Sequence, residues 1–396
     1  MRVYLSVLFA TMVCLPMPLH CAEIKLIPQL SLRDQYNDNI FYDSDSDDKV
    51  HDIVAILSPS LRLTDRTERL NVSLQSTLQR NEYHDREDLD ATDQFHTGRI
   101  GYSLAQNMSV SADARYARDS QIDRDFETTG LLFGTATRNR QHYGCSTDAA
   151  LSEKISFSTS YAYDKDTFDD PKFTDSTSQN ISLTLAHNLD ALVSQTTVRI
   201  SPSYALYDYS NALDYSDTEV TSYSLMAGAS KRITEVIDIS ADMGSQVART
   251  KNILFHLFEQ RQTDRGLIGQ VALSYRGEVT NSSISYYKDY RSISGEVGLT
   301  RYSSVRFNMN RRFTYEFTGD FTAEYSMHKQ DKKKLVTQGI DETSIRIQPR
   351  FTYNYSNDLR FEASYRLAYI RDKQDDSTTR QNLYSLNVTW QYPIPH

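Results

Sequence analysis

Arginines and carboxylates recur on a single parity of this chain. Arg306, Arg346, Arg350, Arg360 and Arg366 share the alternate positions of the segments between 301 and 370, and Asp320, Glu324 and Glu362 lie among them. Arg138 and Arg140 open another such segment, with Arg99, Asp113 and Arg115 on its near neighbours. A guanidinium is a planar fork that pairs bidentately with carboxylate, sulfate or phosphate. Two uses are open: contact with an anionic polymer passing over these side chains, or a network of ion pairs that stiffens the wall carrying them.

Catalysis finds little to work with. His142, Ser146 and Asp148 lie on one extended segment. Residues at i, i+4 and i+6 of a strand spread over about 20 Å, too far for a proton relay among themselves. The chain has no G-x-S-x-G, no H-E-x-x-H, no phosphate-cradling loop and no Cys/His cluster. The run Asp43-Ser44-Asp45-Ser46-Asp47-Asp48 lacks the glycine and terminal glutamate of a calcium loop. The expectation is a protein that is not an enzyme and uses no metal or cofactor.

What positions the arginines is a period of two. Leu70, Val72, Leu74 and Leu78 alternate with Asn71, Ser73, Gln75, Thr77 and Gln79; Phe317 to His328 and Arg360 to Tyr369 repeat the pattern. One face is apolar and the other strongly polar, which is the mark of a strand with two different environments. Eighteen such segments can be placed: 28–36, 53–63, 69–79, 95–104, 108–118, 138–150, 155–163, 178–187, 193–206, 219–230, 235–248, 264–275, 281–290, 301–311, 316–328, 342–354, 358–370 and 380–392.

Composition narrows the environment. The 396 residues carry a net charge of −9, which argues against nucleic acid, and a mean hydropathy of −0.56, which excludes a bundle of membrane helices. Residues 1–22 read as a secretory signal: Arg2, then the apolar run Val3–Leu19 with Pro16 and Pro18, and cleavage near Ala22. Cys14 and Cys21 fall in that region. Cys145 then stands alone in residues 23–396, so no disulfide framework holds them.

Connections between the segments alternate strictly in length. The long ones run from 9 residues (371–379) to 19 (119–137), and the short ones from 3 (355–357) to 5 (64–68). Short turns at one end and long polar loops at the other predict an all-β fold, a transmembrane antiparallel up-and-down β-barrel of about 18 strands in the outer membrane of a Gram-negative-type bacterium. Hydrocarbon offers no partner to backbone N–H and C=O groups, so the sheet must close. A soluble sandwich, propeller or solenoid also alternates, but its loops need not segregate by length. The expected partners are outer-membrane lipid and lipopolysaccharide.

Aromatics on the apolar parity support this. Tyr116, Tyr161, Tyr163, Tyr204, Tyr286 and Tyr325 sit near one set of strand ends; Tyr275, Tyr353, Trp390 and Tyr392 sit near the other. Amphipathic rings settle at headgroup depth, so two girdles are expected. Two long connections carry apolar runs, Leu131-Leu132-Phe133-Gly134 and Ile253-Leu254-Phe255-His256-Leu257-Phe258. Either these fold inward as a constriction or they extend hairpins above the lipid. Residues 37–52 and 80–94 are acidic, while 329–341 holds Lys329, Lys332, Lys333 and Lys334.

Tyr36-Asn37-Asp38-Asn39-Ile40-Phe41, followed by Asp52-Ile53 and Leu57-Ser58-Pro59-Ser60-Leu61, resembles the opening of the β-barrel porins of the beta-barrel porin 2 group, found with exopolysaccharide and exosortase gene clusters. Tyr275-Arg276-Gly277-Glu278 and Asn310-Arg311-Arg312-Phe313-Thr314 resemble that group's later hairpins. Tyr384, Leu386, Val388, Trp390 and Tyr392 resemble the C-terminal insertion signal of outer-membrane barrels, although Pro393-Ile394-Pro395-His396 follow. The resemblance implies a barrel that gives a secreted polysaccharide its exit, working with a periplasmic polysaccharide export protein. A general diffusion porin for small solutes and a non-conducting structural or adhesive surface barrel are the alternatives.

Overall fold

Alternation of apolar and polar side chains, carried over strand after strand without a helix-forming stretch, leaves the backbone one way to satisfy all its hydrogen bonds: side-by-side pairing until the last strand meets the first. The computed structural model, which describes residues 23–44, 49–120, 136–211, 216–254, 258–292, 297–330, 339–392 and 394–395, shows that closure. The strands are β1 (Glu23–Asn37), β2 (Asp52–Arg66), β3 (Leu70–Tyr83), β4 (Ala91–Ala105), β5 (Met108–Asp119) and β6 (Arg138–Ala150). Next come β7 (Ile155–Phe168), β8 (Asp175–Asn188), β9 (Thr196–Asn211), β10 (Ser216–Arg232), β11 (Ile237–Leu254) and β12 (Phe258–Arg276). The set ends with β13 (Thr280–Ser292), β14 (Leu299–Arg312), β15 (Phe317–Gln330), β16 (Ile340–Asn354), β17 (Leu359–Asp372) and β18 (Ser377–Gln391).

Every strand pairs antiparallel with its sequence neighbours, and β1 pairs with β18 from Gln29↔Gln391 to Asn37↔Leu383. The result is a closed barrel of 18 strands. Beyond Tyr392 a two-residue strand, β19 (Ile394–Pro395), continues the closure by pairing with Leu26 and Lys25. The residues after the aromatic-rich last strand therefore lengthen the seam. Among the described residues the helical content is one 3-10 turn, Glu87–Leu89, beyond the end of β3.

Four prolines lie inside wall strands, Pro28, Pro59, Pro202 and Pro349, and each of the last three leaves a gap in a ladder between consecutive strands because it has no N–H to give. Pro59 breaks β2–β3 between Leu57↔Arg80 and Ser60↔Thr77, and Pro202 breaks β8–β9 between Ser182↔Ser203 and Leu185↔Ile200. Pro349 breaks β16–β17 between Ile347↔Leu367 and Arg350↔Ser364.

The eighteen sequence segments match the eighteen strands one for one, and the largest differences fall at the long-loop ends. β11 continues to Leu254, where the pattern stops at 248, and β12 begins at Phe258, where it starts at 264. The alternation stops there while the ladder continues, the pattern expected of strands that pass from lipid on one face to water on both. Large apolar side chains crowd the outer face: Leu32, Leu57, Leu78, Leu183, Leu225, Leu267 and Leu386 are all exposed. Near the long-loop ends Tyr161, Tyr204, Tyr286 and Tyr325 are exposed on that face. Tyr163 is half-buried, its ring 6.2 Å from Tyr143, and Tyr116 stacks on His96 at 5.9 Å. Tyr275, Tyr353, Trp390 and Tyr392 are exposed near the short-turn ends.

Candidate functional site

The inner wall gathers the polar parity. Hydroxyls bond across neighbouring strands all round the barrel: Ser111 to Ser146 at 2.8 Å, Ser160 to Ser182 at 2.7 Å, Ser203 to Ser224 at 2.6 Å, Ser326 to Ser344 at 2.6 Å and Ser364 to Ser385 at 2.7 Å. On this background three charged groups stand out.

The first spans β14 to β17. Glu324 accepts hydrogen bonds from Arg306 Nη2 at 2.8 Å, Arg346 Nη2 at 2.6 Å and the Tyr302 hydroxyl at 3.0 Å. The Arg346 side chain is 12% exposed and that of Arg306 is 45%, so one is locked in the wall while the other faces water. Asp320 accepts from Asn310 at 2.7 Å, and Arg350 lies 3.6 Å from Glu362 with its guanidinium well exposed. Arg360 is exposed two residues before Glu362. Charge reversal at the water-facing arginines, Arg350→Glu and Arg360→Glu, is expected to shift the permeability ratio toward cations by roughly severalfold. Planar-bilayer reversal potentials measure this, and an unchanged ratio places those two side chains outside the conducting path.

The second group spans β5 to β7. Arg138 donates to Asp119 at 3.1 Å, with both side chains buried, and Arg140 to Asp166 at 3.0 Å. His142 lies between two carboxylates, Nδ1 at 2.6 Å from Asp164 and Nε2 at 3.3 Å from Asp113. Ser146 bonds to Ser111 instead, so the wall does not assemble a Ser-His-Asp relay here. The third group escaped the sequence reading. Arg199 on β9 donates to Asp242 on β11 at 2.6 Å, across the strand between them. Gly228 of β10 stands in register with both, and a Cβ there would come within 1.8 Å of the Asp242 carboxylate. The signal was a glycine on the polar parity.

Apolar contacts inside the barrel occur where two segments dock on the wall near the long-loop end. Residues 38–44, following β1, fold onto β17 and β18. Tyr42 packs against Ala368, Ile370 and Phe41, its hydroxyl accepts from Arg366 at 3.3 Å, and its carbonyl accepts from Thr379 at 3.1 Å. Arg366 also donates to Gln381 at 2.8 Å, and Gln381 donates to the Asn39 carbonyl at 3.0 Å. Tyr42 is held at φ 58°, a left-handed conformation costly for a bulky residue and sustained only by surroundings that over-determine it. The next loop is tied in by Asp52, whose buried carboxylate accepts backbone N–H groups of Ile53, His84, Asp85 and Arg86. Arg86 lies over the Phe41 ring at 4.9 Å, and its hydrogen bond holds the Asp88 carboxyl below the usual range.

The second docked segment is the top of the β13–β14 hairpin. β13 pairs with β12 only up to Lys288↔Gly269, while its pairing with β14 continues to Ser292↔Leu299. Above Lys288 the hairpin leaves the wall and leans over the inner face of β11 and β12. Gln246 donates to the Tyr290 carbonyl at 3.2 Å, and the Tyr209 hydroxyl donates to the Gly298 carbonyl at 3.0 Å. Val297 and Leu299 pack on Tyr209, Val220 and Ala248. The close approach depends on Gly266: a Cβ there would lie 2.1 Å from the Tyr290 hydroxyl oxygen and 2.3 Å from its ring.

Neither docking was anticipated, although inward apolar residues (Val54, Ile56, Val220, Ile370 and Leu383) mark both seats. Of the run considered for a constriction, Ile253 and Leu254 end β11 opposite Glu259 and Phe258 and prolong the ladder. Phe255, His256 and Leu257 lie outside the described residues, as does 131–134.

No family model and no curated protein matches the sequence, so the beta-barrel porin 2 resemblance rests on the residues quoted for it. Solved structures do match. The ferric citrate transporter FecA in its unliganded form aligns with a TM-score of 0.52 at 8% identity, over 89% of this chain and 60% of its own. FpvA of P. aeruginosa, solved with heterologous pyoverdines, gives 0.51 at 9%, over 91% and 58%. The ferric-catecholate import receptor Fiu of E. coli K12 gives 0.50 at 6%, over 93% and 81%. The chain thus spans about three-fifths of the length of the first two. At such identities the likeness is one of fold, and the fold is that of an outer-membrane β-barrel.

Proposed function

We propose that this protein is a passive outer-membrane channel: a hydrated path lined by the inner wall and narrowed near its outer mouth by residues 38–44 and the β13–β14 hairpin. The observation that carries this reading is the segregation of the wall. Cross-strand hydroxyl pairs and ion pairs fill the inner face, exposed Leu, Val and aromatic residues fill the outer one, and barrels of 16–18 strands are wide enough to enclose water. The long-loop end is the extracellular one in this reading. For cargo we favour a secreted polysaccharide, with a periplasmic export protein as partner; the support is the resemblance of 36–41, 57–61, 275–278 and 310–314 to the porin group named above. The water-facing guanidiniums of Arg306, Arg350 and Arg360 suit an acidic polymer.

A small-solute porin is the second reading, favoured by the two docked segments, which reduce the cross-section left for a polymer. Gene deletion followed by parallel assays of secreted polysaccharide and of small-sugar uptake separates the two. Polymer loss with normal uptake supports export, and slowed uptake with normal polymer supports the porin. A purified barrel that conducts nothing in a bilayer overturns both and leaves a structural or adhesive surface role.

A further inference from the structure

The outer face of β11–β13 carries charge that lipid tails cannot accommodate and that the protein itself neutralises only in part. Arg249 and Lys251 of β11, Arg261 and Arg265 of β12, and Lys288 of β13 all lie on the parity of the exposed residues Met243, Leu267 and Tyr286. Lys251 stands directly opposite Arg261, a like-charge pairing that costs stability unless an anion intervenes. Glu259 serves both: its carboxylate is 4.0 Å from Lys251 and ion-paired with Arg261. Arg249, Arg265 and Lys288 have no acidic partner among the described residues. Several cations near the same level elsewhere on the outer face do: Arg80 pairs with Asp90, Arg118 with Asp169, Lys329 with Asp341 and Arg371 with Asp376; Lys165 of β7 and Arg380 of β18, each alone on its stretch of wall, do not form a cluster like this one.

Depth points to the ligand. Arg249 lies two residues beyond Val247, which pairs with Tyr223, an exposed tyrosine whose ring is 5.2 Å from that of the girdle residue Tyr204, and Lys288 lies two beyond Tyr286. Two residues of strand advance about 7 Å, from the apolar boundary into the layer of charged headgroups. The Arg249 guanidinium is 6.0 Å from the centre of the Tyr223 ring, which places it over the girdle.

We propose that this patch binds the phosphates of an outer-leaflet glycolipid of the lipid A type, with the Arg249 and Arg265 forks and the Lys288 ammonium making the contacts. The inference rests on the reading that the long-loop end faces outward.

The test is native mass spectrometry of the whole barrel in detergent, with bis-phosphorylated lipid A added and phosphatidylethanolamine and inorganic phosphate as separate probes. Wild type is expected to retain lipid A. The triple variant Arg249→Gln, Arg265→Gln, Lys288→Gln should bind it roughly tenfold more weakly or worse, while Arg80→Gln, Arg118→Gln, Arg371→Gln, on other strands of the outer face, should bind it as wild type does. Heat-modifiable gel mobility verifies that both variants fold. Equal retention by the first triple variant, equal loss in the second, or full displacement of lipid A by millimolar phosphate would overturn the assignment. Conductance is read separately, so a pore that fails to conduct leaves the lipid result standing, and a failure to bind lipid leaves the pore standing.

Discussion

Gly266→Leu is expected to raise single-channel conductance by roughly twofold or more, because it unseats the element that narrows the path. The β13–β14 hairpin reaches its inward position by laying Tyr290 on the bare backbone of β12. The space a Cβ would need is already filled, 2.1 Å from the Tyr290 hydroxyl oxygen and 2.3 Å from its ring. An isobutyl group there forces the hairpin away from β11 and β12, and the Gln246 and Tyr209 hydrogen bonds that hold it are lost with it. Gly101→Leu is the control for a bulky side chain on the inner wall, since a Cβ at 101 meets nothing within 4 Å. The double variant Gly266→Leu, Tyr290→Ala removes the ring that collides and should bring conductance back toward wild type. Unchanged conductance in Gly266→Leu would mean that the hairpin lies clear of the ion path.

Arg366→Ala is expected to have the second large effect, freeing residues 38–44 from β17 and β18. Arg366 is buried and donates to both Gln381 and the Tyr42 hydroxyl, so truncation leaves two acceptors enclosed without that donor. The cost is about 1–3 kcal/mol, enough to shift a docked loop from nearly always seated to frequently released, particularly one that holds Tyr42 in a strained conformation. The readouts are faster proteolysis between β1 and β2 at neutral pH and a noisier, larger conductance. The barrel itself should keep its heat-modifiable mobility, because the wall ladder does not pass through this contact. Arg366→Lys keeps a donor without the fork and should fall between the two. If Arg366→Ala left protease resistance unchanged, packing by Ala368 and Ile370 alone would account for the seat.

The wall was legible in the sequence because its physics is local. A strand between lipid and water must alternate, and Leu70 to Gln79 or Phe317 to His328 declare their two faces without help from the rest of the chain. Where the environment becomes water on both sides, the declaration stops. That is why β11 and β12 run six residues past the pattern in each case, to Leu254 and from Phe258. For the charged positions, parity could not distinguish the sealed pair Arg138 and Asp119 from the water-facing Arg306 and Arg350. That difference depends on neighbours brought together from other strands. The two docked segments were less legible still. Their seats are written as small faults in the alternation, such as Val54 and Ile56 facing inward, and a fault names no partner until the barrel has closed.

Accessibility labelling along β3 tests the closed two-faced wall most directly. Single cysteines at Val72, Ser73, Leu74 and Gln75, in a Cys145→Ser background, are treated in intact liposomes with a membrane-impermeant, water-borne maleimide. The account predicts fast labelling at 73 and 75, whose side chains face the lumen beside Arg62, and protection at 72 and 74, where lipid-soluble quenchers should reach instead. The reverse pattern, or equal labelling at all four positions, would contradict it.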